Sequence, residues 1–498
     1  MKTGQAVHVG RIRVVVFLAS LLPSLGLLAA EAADQQTMQA IMQRLERLEQ
    51  RMDQGLEQRS GQGADLSPPE VTVPVAEAPL AELIQRLTVL ERKLEIASEE
   101  AVAKAATTPA VSISEKGLAV KNPETGFDFK LRGTIQFDQR HFYDDDQAQL
   151  NDTHLFRRIR PSLEGTLTPL IAYRLTPEFA GDSASIMDAY IDLRFSPAYT
   201  LRVGKLKGPV GLERLQSAST LNMVERGFPT ELAPNRDIGA QWQGEVLAGR
   251  LNYAFGVFNG TPDGRDATTT DSDNNFEWAA RLFAEPWRND ASAFSGLGFG
   301  VAVSTGDKQG AGNNFLPRYR TPGQNVFFNY RSTVEAVGKH QRISPQLYFY
   351  RNAYGVLAEY IRSAQELSSG STSARQRTLE NDAWQLTTSW LLTGENASFR
   401  GVDKPNQAFA LGNEGWGAFE LLARYGELDI DDAAFPLYAD PNTAASRARA
   451  WGLGLNWYLT SNLKLVFNHT HARFDGGARA SKDRPDEKGV FSRVQVAF

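Results

Sequence analysis

The chain has 498 residues, 42% apolar and 10% aromatic, which excludes global disorder and exceeds what one ordinary core supports. It contains no cysteine, so disulfides, thiol catalysis and cysteine-ligated metals are excluded. With 53 basic against 58 acidic residues the net charge is −5, so nothing attracts the chain as a whole to nucleic acid, and anion chemistry must come from local clustering.

Residues 1–33 read as a secretory signal. Lys2, Arg11 and Arg13 precede the apolar run "VVVFLASLLPSLGLLAA", and small residues allow cleavage after Ala30, Ala32 or Ala33. The run is too short for a membrane anchor and holds Pro23 near its middle. No later segment is long and apolar enough for a helical span, so any membrane crossing is made by strands.

Residues 34–110 predict a periplasmic coiled coil. Met38, Ile41, Leu45, Leu48 and Met52 follow alternating steps of three and four, and Leu80, Leu83, Leu87, Leu90 and Leu94 repeat them. Between the two seams, "SGQGADLSPPEVTVPVAEAP" breaks any helix and serves as a linker. Each seam is narrow, which favours self-association over a helical hairpin packed on a partner.

From residue 127 the period changes to two, within a barrel domain expected over 120–498. In "FDFKLRGTIQF", Phe127, Phe129, Leu131, Ile135 and Phe137 alternate with Asp128, Lys130, Arg132, Thr134 and Gln136. "IGAQWQGEV", "FELLARY" and "AWGLGLNWY" repeat the pattern, and Trp and Tyr collect at the ends of such runs. The chain closes on "VFSRVQVAF", with Val490, Val494, Val496 and Phe498 on one face and Phe491, Arg493, Gln495 and Ala497 on the other. About 16 strands are predicted, starting near residues 127, 153, 170, 186, 198, 237, 249, 274, 296, 341, 352, 380, 415, 447, 461 and 488. Short turns alternate with long connections, with 394–414 as an exception on the short side. This is the pattern of an all-β transmembrane barrel of antiparallel strands, apolar outside and polar inside.

Several stretches are similar to the phosphate-selective porin O and P family: "FRRIRPSLEGTL" (156–167), "DAYIDLRFSPAYTLRVGKLKGPVGLERL" (188–215), "LAPNRDIGAQWQG" (232–244), "AWQLTTSWLLTGE" (383–395), "GLNWYLTSNLKLVFNHT" (454–470) and the closing "SRVQVAF". The resemblance implies a homotrimeric porin of the bacterial outer membrane, surrounded by outer-membrane lipids. It also implies inward-folded loops and an arginine- and lysine-lined path for small anions such as phosphate.

Alternation places Arg158 and Arg160 in the lumen and turns Arg157 outward, within reach of lipid phosphates. For any one arginine the alternative is a lumen salt bridge, with Glu164 or Glu420 for example. The loop after "VGKLKGPVGLERL" resembles a constriction loop. From 205 to 237 it carries Lys205, Lys207, Arg214, Arg226 and Arg236 against Glu213, Glu225, Glu231 and Asp237. That near-balance departs from the dense basic ladder expected of a strongly phosphate-selective member. Residues 306–342 are more basic, with Lys308, Arg318, Arg320, Arg331, Lys339 and Arg342 against Asp307 and Glu335. "RYR" at 318–320 adds an aromatic between two arginines of an inward-folding loop. The two segments together form the expected selectivity zone.

"DDD" at 144–146 reads as a solvated acidic loop. His469 and His471 share a strand face without an evident carboxylate partner and read as rim residues. No catalytic constellation, metal site or cofactor is expected. The leading expectation is a passive anion porin. The alternatives are a general, weakly selective porin, or a structural envelope protein whose coiled coil contacts the cell wall.

Overall fold

The computed structural model describes residues 80–143, 150–268, 270–271, 273–370, 376–412 and 414–498. The signal segment, the first heptad seam, the linker and the triplet at 144–146 lie outside them. The chain divides after Thr107. Before that point lies α1 (Leu80–Thr107), an uninterrupted run without Gly or Pro. Leu87, Leu90 and Leu94 are half-buried, while the other residues from 85 to 99 are exposed. Within residues 85–99 the seam positions Leu87, Leu90 and Leu94 are therefore the shielded stripe.

The second unit begins with a hairpin, β1 (Ala110–Ser114) and β2 (Gly117–Asn122). The wall strands follow: β3 (Phe127–Tyr143), β4 (Thr153–Thr166), β5 (Ile171–Glu178), β6 (Ser185–Ser196), β7 (Tyr199–Leu206), β8 (Asp237–Val246), β9 (Leu251–Phe258), β10 (Glu277–Ala284) and β11 (Leu297–Ala311). A small loop hairpin of β12 (Arg318–Arg320) and β13 (Val326–Asn329) interrupts the wall. The wall resumes with β14 (Val334–Arg351), β15 (Tyr354–Ser369), β16 (Gln376–Leu391), β17 (Ala418–Asp429), β18 (Ala445–Tyr458) and β19 (Leu463–Ala478). After the short β20 (Lys482–Asp483), β21 (Glu487–Ala497) pairs antiparallel with both β19 and β3. Leaving out β1, β2, β12, β13 and β20, the wall has the expected 16 strands, closed without a free edge.

Burial follows the pleat but is inverted relative to a soluble protein. On β3, Ile135, Phe137, Gln139 and His141 are exposed outside, while Gln136, Asp138, Arg140 and Phe142 are buried inside. Phe156, Ile191, Trp242, Phe255, Trp278, Trp384, Trp451 and Phe467 continue the outer apolar belt. Such a belt is stable in lipid and not in water. Among the described residues no helix is long and apolar enough to cross a membrane.

The last residue completes the ring. The Phe498 backbone exchanges hydrogen bonds with Gly133 at 2.9 and 3.0 Å. A Cβ at Gly133 would lie 2.5 Å from the Phe498 ring, so glycine leaves the space the terminal aromatic fills.

Most long connections lie at one barrel end, as expected; at the other, 392–417 is the long exception and 285–296 a shorter one. The basic segment 306–342 is partly wall: β11 runs to Ala311 and β14 starts at Val334, leaving a loop of 312–333. That loop and the loop at 207–236 fold inward. Phe228, Leu232, Tyr319, Phe327 and Phe328 pack on Ile361, Leu367, Leu379, Ala383, Leu428 and Ala448 in one apolar core. Much of the inner face of β15–β18 is thereby covered, and the open space lies mainly against β3–β10, β19 and β21.

Candidate functional site

The loop at 207–236, with the short helices α2 (Leu212–Leu215) and α3 (Pro229–Leu232), is held by its own carboxylates and by carboxylates of the wall. Glu359 on β15 accepts from the backbone N–H groups of Leu212 and Glu213 at 2.5 and 3.1 Å. Glu213 accepts from Arg424 at 2.5 Å, Gln385 at 2.9 Å and the Gly227 N–H at 2.8 Å. A Cβ at Gly227 would lie 1.8 Å from the Gln385 Oε1, so a larger residue there would displace the Gln385 amide. Glu225 accepts from Arg140 at 2.7 Å and from Arg157 at 2.5 and 3.1 Å. Glu231 accepts from the backbone N–H and guanidinium of Arg320 at 3.0 and 3.3 Å. Asn468, Lys464, Gln136 and Gln495 bind the loop's backbone at Val224, Leu221, Ala218 and Ser219. The loop thus crosses from one wall to the other.

The cations of the same loop are bound differently. Lys207 donates to the Gln216 carbonyl at 2.7 Å. Arg214 donates to Thr230 O at 2.6 Å and Asn235 at 2.9 Å. Arg226 donates to Glu213 O at 3.1 Å and Gln216 O at 2.9 Å. Carbonyls fix these groups without neutralising them. Burial, and then the neighbouring Arg226 and Arg236, pushes the Lys207 ammonium well below the usual lysine range. Burial lowers Arg214 to about 10, against the opposing pull of Glu231. Burial and the proximity of Arg214 also push Arg226 down. Guanidinium groups stay charged at neutral pH throughout this range. For Glu225 burial favours the neutral acid, but Arg157, Arg140 and Arg158 outweigh it and hold the carboxyl well below its usual range.

Strand β4 departs from strict alternation. Gln136 pairs with Arg158 but Phe137 pairs with Phe156, so Arg157 is the extra residue of a bulge. The bulge turns Arg157 inward, onto Glu225, and corrects the expectation that it faces lipid. Arg158, 3% exposed, donates to Gln136 Oε1 at 2.6 Å, and its Nε has no hydrogen-bond partner. Neither Glu164 nor Glu420 pairs with it. Glu164 takes Arg132 and Arg174, while Glu420 takes Asn222, Asn456 and Tyr458. Arg160 pairs with Glu178 at 2.6 Å.

These groups surround two cavities. One, of about 460 Å³, is lined by Arg157, Arg158, Arg160, Arg214, Arg226, Arg236, Arg265, Arg318 and Arg320 against Glu178, Glu225, Glu231 and Asp266. Among the described residues no aromatic side chain lines it. The other, of about 1500 Å³, faces the opposite barrel end and includes Arg132, Arg174, Arg194, Arg202, Lys207 and Lys464. Arg160 and Arg236 line both, so they stand at the junction. Arg236 is held there by Asp188 at 3.2 Å and Asn235 at 3.0 Å.

Of the predicted residues, Arg158, Arg160, Lys207, Arg214, Arg226, Arg236, Arg318 and Arg320 line these cavities, and Lys205 does not. Lys205 pairs with Ala189 and Ile238, in step with the outward Val203, and its Nζ reaches Ala267 O at 3.2 Å. The pleat turns it away from the lumen, and Lys207 turns inward only because the chain has left the strand. Most cations of 306–342 are also elsewhere. Lys308 and Arg342 are buried on Glu277, Arg331 binds Pro436 O and Asp440, and Lys339 lies opposite Asp307 on the wall. Tyr319 is fully buried, with its hydroxyl between Asp263 and Asn381, rather than facing a pore. Arg174, Arg194 and Arg202 were missed, although alternation against Leu175, Leu193 and Leu201 carries their inward direction. His471 does have a carboxylate partner, Asp486, at 2.7 Å. His469 binds Tyr143 and packs against Trp451.

The long connection 392–417 also reaches inside. Phe399 stacks on Tyr348 at 5.2 Å, and its carbonyl accepts from Gln216 of the constricting loop at 2.9 Å.

A closed barrel with an outer apolar belt, a polar interior and loops narrowing its lumen defines an outer-membrane channel of the porin class. The family model for phosphate-selective porin O and P matches residues 129–498, and the chain belongs to that family. It is 25% identical over 443 residues to Porin O of Pseudomonas aeruginosa, across 80% of this chain and 96% of that protein. Among solved structures it is similar to the outer membrane channel DcaP of Acinetobacter baumannii (12% identity, TM-score 0.49, 76% of this chain and 99% of that one). It is also similar to an anion-selective porin from Comamonas acidovorans (13% identity, TM-score 0.45, 74% and 99%). The protein resides in the bacterial outer membrane, and its relatives are channels rather than enzymes.

Proposed function

We propose that the protein is a passive channel for small, highly hydrated oxyanions, phosphate among them. The path runs through the arginine-lined cavity, past Arg160 and Arg236, into the wider lysine- and arginine-lined vestibule. The observation that carries this reading is the imbalance of charge in the smaller cavity, where nine arginines face four carboxylates. Three of those carboxylates, Glu178, Glu225 and Glu231, are already bound to arginines. The charge left over belongs to Arg158, Arg214 and Arg226, held by an amide and by carbonyls, and to Arg265, held by Asn313, and Arg318. A fixed positive field in a narrow aqueous path raises local anion concentration and lowers the entry barrier. The absence of aromatic lining favours an inorganic oxyanion over an aromatic acid. The test is the zero-current potential in a planar bilayer under a salt gradient, repeated with phosphate. Anion preference with phosphate block supports the path, and cation preference removes it.

The heptad spacing of Leu80, Leu83, Leu87, Leu90 and Leu94 supports self-association of α1, consistent with a homotrimer. A second reading makes this N-terminal region, 34–110, a tether to the cell wall. Deleting it separates the two: a porin keeps its conductance, and a tether loses its envelope phenotype.

A further inference from the structure

We infer that Gln136 is a specificity-determining positioning residue, which together with Gln495 holds Arg158 in place while leaving its charge uncompensated. The inference rests on the proposed anion path and adds to it the device that keeps one arginine both fixed and free to bind.

Gln495, Gln136 and Arg158 are neighbours in one row across the closure of the barrel, on β21, β3 and β4. Gln136 is fully buried. Its amide nitrogen donates to Gln495 Oε1 at 2.6 Å and to Ala218 O at 3.0 Å. Gln495 in turn donates to Ser219 O at 2.8 Å. With its N–H groups committed, the Gln136 amide has one orientation, and Oε1 faces the Arg158 guanidinium at 2.6 Å. The nearby carboxylates are occupied. Both oxygens of Glu225 take Arg157, one of them also Arg140, and Glu178 takes Arg160 and the Ile159 and Ala180 N–H groups. Among the described residues a neutral acceptor is therefore the one hydrogen-bond partner Arg158 has; its Nε is buried and unpartnered, and the residue lines the cavity. A glutamate at position 136 would have the same shape and would neutralise the arginine. The chain carries the amide instead. Because the amide donates to Ala218, the position of Arg158 is also tied to that of the constricting loop.

The experiment compares wild type, Q136E, Q136M and R158Q as full-length channels in planar bilayers. Each is first checked for barrel folding by heat-modifiable gel migration, and then read by zero-current potential and by phosphate block of chloride current. Q136E is expected to lower the anion-to-cation permeability ratio by about threefold or more, approaching R158Q, because both remove the same net charge. Q136M keeps the charge but loses the anchor. It should leave the zero-current potential near wild type and weaken phosphate block by about tenfold, the scale of one hydrogen bond to a charged group. A wild-type potential and block in Q136E, beside a reduced ratio in R158Q, would overturn the role of Gln136 while sparing the path. No change in R158Q either would overturn the place of Arg158 in the path itself. Should Q136E not fold, unchanged phosphate block in Q136M refutes the inference and weakened block at constant selectivity upholds it.

Discussion

Two inward-folded segments carry opposite lessons about charge. The loop at 207–236 is nearly neutral by count, yet it presents Arg214, Arg226 and Arg236 to a cavity, because its acids Glu213 and Glu225 point back to Arg424, Arg157 and Arg140 on the wall. The segment 306–342 has the larger positive excess, yet it contributes only Arg318 and Arg320. Its Arg342 and Lys308 are consumed by Asp263 and Glu277. Net charge in a segment therefore says little about the field in a pore. What decides is which charges are used as anchors and which are held by neutral acceptors.

The largest effect expected from this contrast is on stability. Arg342 is buried and binds Asp263 and Glu277 at 2.6 Å each, with Thr261 O at 2.9 Å. Arg342→Gln leaves two buried carboxylates short of a partner and should cost about 3–5 kcal/mol. The midpoint of guanidinium unfolding should fall clearly, while the zero-current potential of the channels that do form stays as in wild type. A changed potential at unchanged stability would break the contrast.

Selectivity should move in the other segment. The double variant Arg214→Gln, Arg226→Gln should lower the anion-to-cation permeability ratio by about tenfold, since two fixed charges leave a confined aqueous path. The matched control Arg331→Gln, Lys339→Gln removes as much charge from the more basic segment and should leave the ratio unchanged. Equal losses in both pairs would mean that overall charge decides after all.

Lys207 gives the contrast a pH dependence. Burial and the adjacent Arg226 and Arg236 disfavour its charged form, so its proton is lost at lower pH than from a free lysine, which titrates near about 10.4. Anion preference should therefore decline as pH rises, before free lysines titrate, and recover on return. Lys207→Arg should flatten the profile. For stability the sign is opposite: folding disfavours the charged form, so deprotonation of Lys207 removes a penalty as pH rises.

The wall was legible because lipid outside and water inside impose period two on every strand, and the 16 predicted strands are the observed ones. What was not legible has local causes. A single inserted residue at Arg157 reverses a side chain, and no alternation rule anticipates a bulge. Lys205 was grouped with its loop although its strand had one step left to run. The partners of Glu213 lie on β15 to β17, far away in sequence, so its role as an anchor rather than a pore charge depends on tertiary contacts alone.

The smallest expected effect is at Tyr319, which the sequence sets between two arginines as if it lined the path. Its ring is stacked 5.5 Å from Phe328 in the apolar core, and its hydroxyl donates to Asp263 at 3.1 Å while accepting from Asn381 at 3.0 Å. Tyr319→Phe keeps the ring and removes only these two bonds, a loss of about 1–2 kcal/mol. Asp263 retains Arg342 and Ser363, and Asn381 retains Tyr330 at 3.4 Å, so neither partner is left bare. Chemical denaturation should register the loss, and phosphate block should not. Block that weakened without a change in stability would place Tyr319 itself, beside Arg318 and Arg320, in the permeation path. The arginines beside Tyr319 would then act through it, and the division between an anchoring segment and a selecting one would fail at the residue where it is easiest to test.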